Sequence, residues 1–216
     1  MTWVDLSVPV VTGMPVYPGD PEVEVAPALT VAEAGVNVAR VHLGSHAGTH
    51  VDAPCHVDDS WPRLDELPLD RFAGRAVPMD VRGLPPRTPI GPEHLPEGLR
   101  PGVVLLVVTG WSRHWGTPDY LAHPYLAAET CVRIAAAGVR TVGIDALSVD
   151  RTPAPGEQDF SLAAHRALLE PGGVIAENLT GLDRLVQAPA EAEVFLFPVR
   201  LTGDGAPVRA VARLRS

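Results

Sequence analysis

The run Val103-Val104-Leu105-Leu106-Val107-Val108 is apolar at every position. A strand with one face in water alternates apolar and polar side chains, whereas a strand covered on both faces does not. The run therefore predicts a strand inside a sheet, with structure layered on each side. Further short segments read as strands at 3–8, 22–25, 37–43, 76–81, 141–144, 174–176, 193–201 and 208–214. Two segments read as helices: 127–137, stopped by Gly138, and 161–169, with Ser161 as N-cap and Pro171-Gly172 beyond its end. The 23 prolines and 20 glycines are spread over the chain and cut it into such short pieces; 81–101 reads as a surface loop with one helical turn. Strands come first, strand–helix–strand units follow, and two strands close the chain. This order predicts an α/β fold with a mixed β-sheet flanked by helices. No repeat, low-complexity tract or linker interrupts the 216 residues, so 1–216 is expected to be a single domain.

Charge and residue usage exclude several functions. The formal net charge of -9 argues against nucleic acid or an anionic membrane as partner, because both reward clustered basic residues. Every one of the 17 basic residues is arginine, so no lysine can form a Schiff base. Two cysteines, Cys55 and Cys131, are too few for a disulfide framework or a zinc ribbon. Met-Thr-Trp-Val-Asp-Leu at the start lacks the pattern of a signal peptide, and no apolar run reaches membrane-spanning length. A cytoplasmic location is expected.

Four of the eight histidines lie between positions 42 and 56. His46, His50, Asp52 and His56 all fall on even positions, so an extended backbone would send them to one side. Gly48 and Pro54 would bend such a strand, and a strand end entering a tight loop is expected. Imidazoles with a carboxylate suit zinc, or manganese if oxygen ligands are added. Gly48 and Thr49 would let the backbone pass close to an ion and offer amide and hydroxyl donors. Leu162, His165 and Leu169 share the apolar face of the second helix, where a histidine is either a hydrogen-bonded core residue or a ligand. Glu177 follows the apolar stretch Gly173-Val174-Ile175-Ala176, a costly place for a carboxylate unless a cation, an arginine or a helix N-terminus meets it.

The run His46-Ala47-Gly48-Thr49-His50-Val51-Asp52-Ala53-Pro54-Cys55-His56 resembles the H-x-G-T-H-x-D-x-P-x-H motif of the metal-dependent cyclase family, which includes bacterial kynurenine formamidases and isatin hydrolases. Flanking blocks agree in order: Pro15-Val16-Tyr17-Pro18-Gly19-Asp20, residues 109–117, Gly143-Ile144-Asp145, Ser148-Val149-Asp150, Glu177-Asn178-Leu179 and Leu182-Asp183-Arg184-Leu185. The resemblance implies that His46 and His50 bind one metal and that Asp52 bridges it to a second completed by His165 and Glu177. It implies that His56 is the general acid/base and that Tyr17 lines the substrate pocket, where kynurenine formamidases commonly carry tryptophan. It also implies an α/β fold, two divalent ions and a homodimer or homotetramer; relatives use zinc or manganese, so the resemblance leaves the metal open, and zinc is the first expectation here with manganese second.

The resulting expectation is a metal-dependent amidohydrolase that cleaves a carbon–nitrogen bond, in an aryl formamide such as N-formylkynurenine or in a cyclic amide. Metal-activated water would attack, with His56 moving the proton. A lyase, dehydratase or cyclase step on a small carbonyl substrate would use the same cluster, with His56 removing a carbon-bound proton. A purely structural metal would favour four protein ligands with cysteine among them, and histidine is in surplus here instead. Cys55 is expected to be a wall residue rather than a nucleophile, since it points away from its neighbour His56 in an extended chain. Asp145 either supports a ligand histidine or caps the next turn; Trp111, His114 and Trp115 either shape the pocket or form a subunit contact.

Overall fold

The computed structural model describes residues 1–154, 156–157, 161–187 and 191–215. Its strands are β1 (Thr2–Asp5), β2 (Glu24–Leu29), β3 (Val38–His42), β4 (His50–Asp52), β5 (Ala73–Asp80), β6 (Pro89–Ile90), β7 (Val103–Val108), β8 (Tyr125–Leu126), β9 (Thr141–Ile144), β10 (Val174–Glu177), β11 (Ala192–Phe195), β12 (Gly205–Pro207) and β13 (Val211–Leu214). The helices are α1 (Val31–Ala34), α2 (Ala128–Ala136), α3 (Ala163–Leu169) and α4 (Asp183–Gln187). One nine-stranded sheet runs in the order β1-β13-β11-β5-β7-β9-β10-β4-β12. Its middle, β5-β7-β9-β10, is parallel, and the pairs on either flank are antiparallel. The fold is α/β with a mixed sheet, as the order of elements implied.

β7 lies at the centre of this sheet and is buried along its whole length. Val104, Leu106 and Val108 pack on one face with Val51, Ala176 and Val194, while Val103, Leu105 and Val107 pack on the other with Ile134, Ile144 and Leu168. This two-residue alternation between two apolar clusters is why the run needs no polar position. α2 and α3 cover the second face, through Cys131, Ile134, Ala164 and Leu168, and α4 covers the first through Leu185.

Two local expectations are corrected. Helix α3 begins at Ala163, and Ser161 is not its cap. Asp150 plays that part from the preceding loop: its carboxylate accepts the Ala164 and His165 amides at 2.9 and 3.0 Å. The strand expected over 193–201 stops at Phe195, and Pro198 makes only an isolated bridge to Val208. The histidine run bends where expected: the short strand β4, paired with β10 and β12, follows the left-handed Gly48 and leads into a one-turn helix that starts at Pro54. β2 and β3 form a separate antiparallel hairpin of largely exposed residues.

Candidate active site

The site grows from the pairing of β4 with β10. His50 and Asp52 are two residues apart on β4 and share a face, while Val51 between them points into the apolar core. The antiparallel register sets His50 opposite Glu177. His50 Nε2 lies 3.2 Å from Asp52 Oδ1 and 3.8 Å from Glu177 Oε2. Its other nitrogen, Nδ1, is 2.8 Å from the Gly48 carbonyl. A carbonyl only accepts, so Nδ1 carries the hydrogen and Nε2 is left facing the carboxylates.

His46 reaches the same point by a turn and not by strand alternation. The chain bends at Gly48, whose φ of +65° is left-handed, and a Cβ there would meet Met14 Cε at 2.9 Å. His46 Nδ1 lies 2.7 Å from Asp52 Oδ1, and Nε2 lies 2.9 Å from Asp204 Oδ2. Gly205 makes room for this ring: a Cβ there would stand 2.8 Å from His46 Cε1 and 2.7 Å from the Val51 carbonyl. His56 enters from the one-turn helix Pro54–His56 with its ring centroid 4.0 Å from that of His46 and 5.6 Å from that of His165.

His165 comes from the inward face of α3. Its Nδ1 is 2.7 Å from Asp150 Oδ2, and its Nε2 lies 3.5 Å from Glu177 Oε1 and 3.7 Å from Asp52 Oδ2. Glu177 also accepts the Val149 amide at 2.8 Å. Two sets of donor atoms result, each compact enough to hold one ion: His46, His50 and Asp52, and Asp52, His165 and Glu177. Asp52 belongs to both. It is fully buried, yet its Oδ2 has no hydrogen-bond partner among the described residues. An orphaned carboxylate oxygen in such a place costs several kcal/mol unless a cation meets it, so this donor set fits divalent metal. A third compact set is His46, His56 and Asp204.

Electrostatics separate the histidines. Burial opposes charge on His46, but its hydrogen bonds to Asp204 and Asp52 outweigh it and push the ring up to about 10. Burial likewise opposes charge on His165, and Asp150 and Asp52 push it up to about 10. Burial and the repulsion of neighbouring imidazoles take His56 down to about 4, against the pull of Asp52. Burial and the nearby Asp52 raise Glu177 to about 7. The His46 hydrogen bond holds Asp204 well below the usual carboxylate range.

A cavity of about 210 Å³ opens over these groups. Pro15, Val16, Tyr17, Leu147 and Leu162 form its apolar wall, and His46, His50, His56, His165 and Glu177 its floor. Tyr17 is set by a turn in which Asp20 N donates to the Tyr17 carbonyl at 3.0 Å, with Pro18 and Gly19 (φ +102°) at the centre. Every residue singled out for the site is therefore gathered in one place.

Other residues resolve as scaffold. Asp145 receives the Thr109 amide and hydroxyl and the Gly110 amide at 2.7, 2.6 and 2.8 Å, so it caps that turn and touches no histidine of the site. The Thr49 hydroxyl donates to the Asn178 carbonyl at 2.7 Å and accepts from Val8 N at 2.9 Å, so it is spent on the frame. Cys55 donates to the Gly203 carbonyl at 3.2 Å, and burial raises its thiol. Trp111 is buried with its indole donating to the Asp119 carbonyl, and Trp115 packs edge-on against Tyr120; neither lines the cavity. Sequence reasoning passed over Asp150, Asn178 and Asp204. Asn178 holds a left-handed backbone (φ +55°), donates to the Gly48 carbonyl at 2.9 Å, and accepts from Tyr120 Oη at 2.9 Å. Asp150 and Asn178 stood in blocks already noticed; Asp204 lies between two glycines and reads as an ordinary turn.

The sequence profile of the Cyclase family ("Putative cyclase") matches residues 4–151, more than half of the chain. The chain belongs to the cyclase family. Among cyclase-family relatives it is similar to the kynurenine formamidase of Salinibacter ruber, 36% identical with 99% of this chain and 98% of that protein covered. It is similar also to the kynurenine formamidase of Bacillus cytotoxicus, 33% identical over 98% and 97% of the two chains. Its fold matches that of isatin hydrolase A from Ralstonia solanacearum with a TM-score of 0.86, at 20% identity, covering 99% of this chain and 92% of that one.

Proposed function

We infer that this cyclase-family protein is a metal-dependent hydrolase of carbon–nitrogen amide bonds. The single observation that supports it best is Asp52, a buried carboxylate shared by two compact donor sets, with one oxygen unpartnered. Full-length similarity to kynurenine formamidases supplies the reaction class. His46, His50 and Asp52 would hold one divalent ion, and Asp52, His165 and Glu177 a second. Nitrogen and oxygen donors without thiolate suit zinc, or manganese as second choice. Bound there, such ions supply Lewis acidity and lower the pKa of a water from 15.7 to about 7.

The chain's own groups supply positioning and proton transfer. The apolar wall with Tyr17 receives an aryl or cyclic amide and keeps bulk water off the floor. His56, held neutral beside the floor, accepts a proton from the attacking water and returns it to the leaving nitrogen, a service typically worth 10²–10⁴ in rate. Gly48, through its carbonyl, and Asp150 turn the Nε2 atoms of His50 and His165 inward.

Assembly as a homodimer or homotetramer is part of the proposal. Leu29, Val31, Val36, Val38 and Val41 on or beside the β2–β3 hairpin are each 44–58% exposed, a run of apolar surface suited to a second copy. Two free cysteines accord with a cytoplasmic setting. Among the described residues no helix is long and apolar enough to cross a membrane. A screen of aryl formamides and cyclic imides, with zinc and manganese added back separately, tests the reading. Hydrolysis restored by one of the ions supports it, and metal-loaded protein inert toward both classes contradicts it.

A further inference from the structure

His46 is held between two carboxylates, one at each ring nitrogen. Its Nδ1 lies 2.7 Å from Asp52 Oδ1, and its Nε2 lies 2.9 Å from Asp204 Oδ2. The two acids differ in place. Asp52 is buried among the candidate ligands, and its Oδ1 also lies 3.2 Å from His50 Nε2. Asp204 stands at the rim, with its side chain 46% exposed, and belongs to neither of the two donor sets that share Asp52. Its backbone is nonetheless tied to the site. The Asp204 carbonyl accepts the Ala53 amide at 2.8 Å, and the Gly203 carbonyl before it accepts the Leu64 amide at 2.8 Å. Gly205 after it pairs with Asp52 in the sheet.

This arrangement gives the two nitrogens different work. Nδ1 is the nitrogen that faces Asp52 Oδ1 and His50, the other donors of the first set. An imidazole that binds metal through one nitrogen keeps its hydrogen on the other, and the partner of that hydrogen decides which is which. For His46 that partner is Asp204, on the side away from Asp52. His50 and His165 are turned the other way round, because the Gly48 carbonyl and Asp150 hold their Nδ1 atoms. The space for the His46 ring comes from Gly205: a Cβ there would stand 2.8 Å from Cε1, the atom between the two nitrogens, and 3.3 Å from Nδ1. His56 Nδ1 is 3.9 Å from the same Asp204 Oδ2, beyond hydrogen-bond reach. The third compact set, His46, His56 and Asp204, could hold an ion only if His46 gave up its Nε2 hydrogen.

We propose that Asp204 is a positioning residue that holds the Nε2 hydrogen of His46 and so makes Nδ1 its metal-ligating atom, whereas His50 and His165 ligate through Nε2. The inference rests on the metal-site reading above and deepens it. Asp204 and Asp150 become separate supports, Asp204 for the ion of His46, His50 and Asp52, and Asp150 for the ion of Asp52, His165 and Glu177.

Long-range proton–nitrogen-15 correlation spectra of the zinc-loaded protein test it, because they report which nitrogen of each imidazole binds metal and which bears hydrogen. The rings are assigned by the signals lost in His46→Gln, His50→Gln and His165→Gln. Wild type should show His46 bound through Nδ1 with hydrogen on Nε2, and the other two bound through Nε2. His46 bound through Nε2, or a third ion joining His46 Nε2 to His56, would overturn the proposal. Zinc titrations followed at the His50 and His165 rings then compare wild type with Asp204→Ala. The variant should lose about 10–100-fold in affinity at the His50 ion and keep that of the His165 ion. Equal weakening at both rings, or none at either, would overturn the proposal. If no ring responds to zinc, the metal-site reading itself fails; zinc bound through the other nitrogen of His46 removes this inference alone.

Discussion

His165 Nδ1 lies 2.7 Å from Asp150 Oδ2, and the same carboxylate accepts the His165 amide at 3.0 Å. One side chain thus starts a helix and aims the ring that the helix carries. In Asp150→Ala the ring would be free to rotate, and metal affinity should fall about 10–100-fold, the usual cost of losing a carboxylate behind a ligand histidine. Chelator competition on the purified variant measures this. Affinity equal to wild type would show that α3 packing alone aims His165.

Asp52 should govern metal content. Because it belongs to both donor sets, Asp52→Asn is expected to lose most of the metal, for which the proposed function expects about two ions per chain in wild type. Elemental analysis after dialysis gives the ratio. Full metal and full activity in this variant would remove Asp52 from the site.

His56 and Cys55 are neighbours with different expected roles. His56→Ala should keep its metal and lose about 10²–10⁴ in kcat, since only proton transfer is removed. Cys55→Ala should stay within about threefold of wild type, because the thiol is occupied with the Gly203 carbonyl. The reverse pattern in the two variants would point to covalent chemistry at sulfur.

The buried His123 makes a prediction about acid stability. Its value in the folded protein is lowered to about 4 from an ordinary 6.5, chiefly by burial. A histidine kept neutral by folding contributes full stability above about pH 6.5, and that stability drains away as pH falls toward 4. A shift of this size corresponds to about 3 kcal/mol over that window. Urea titrations of wild type and His123→Gln at the two ends should show a smaller loss in the variant, whatever its starting stability. Equal losses would mean that other groups set the acid limb.

The sequence disclosed what local periodicity controls. β7 was legible because six apolar residues in a row have one reasonable environment, and His50 with Asp52 because residues two apart on a strand share a face. The bend at Gly48 was legible, but the space that Gly205, far along the chain, leaves for the His46 ring beside Asp52 was not. Asp204 was missed for the same reason: its pairing with His46 spans 158 residues and leaves no periodic trace. Asp145 and Asp150 both end apolar segments and look alike in sequence, yet one caps a turn and the other holds His165. Only the packing of α3 against β10 separates them.

The central claim is that the assembled groups add water across a carbon–nitrogen amide bond when metal is present. Hydrolysis of formanilide in oxygen-18 water, followed by mass spectrometry of the products, tests it most directly. The expected result is aniline with formate carrying one labelled oxygen, formed only when zinc or manganese is restored and suppressed about 10²–10⁴-fold in His56→Ala. Aniline formed without label in the formate, or formed equally with and without metal, would contradict the account.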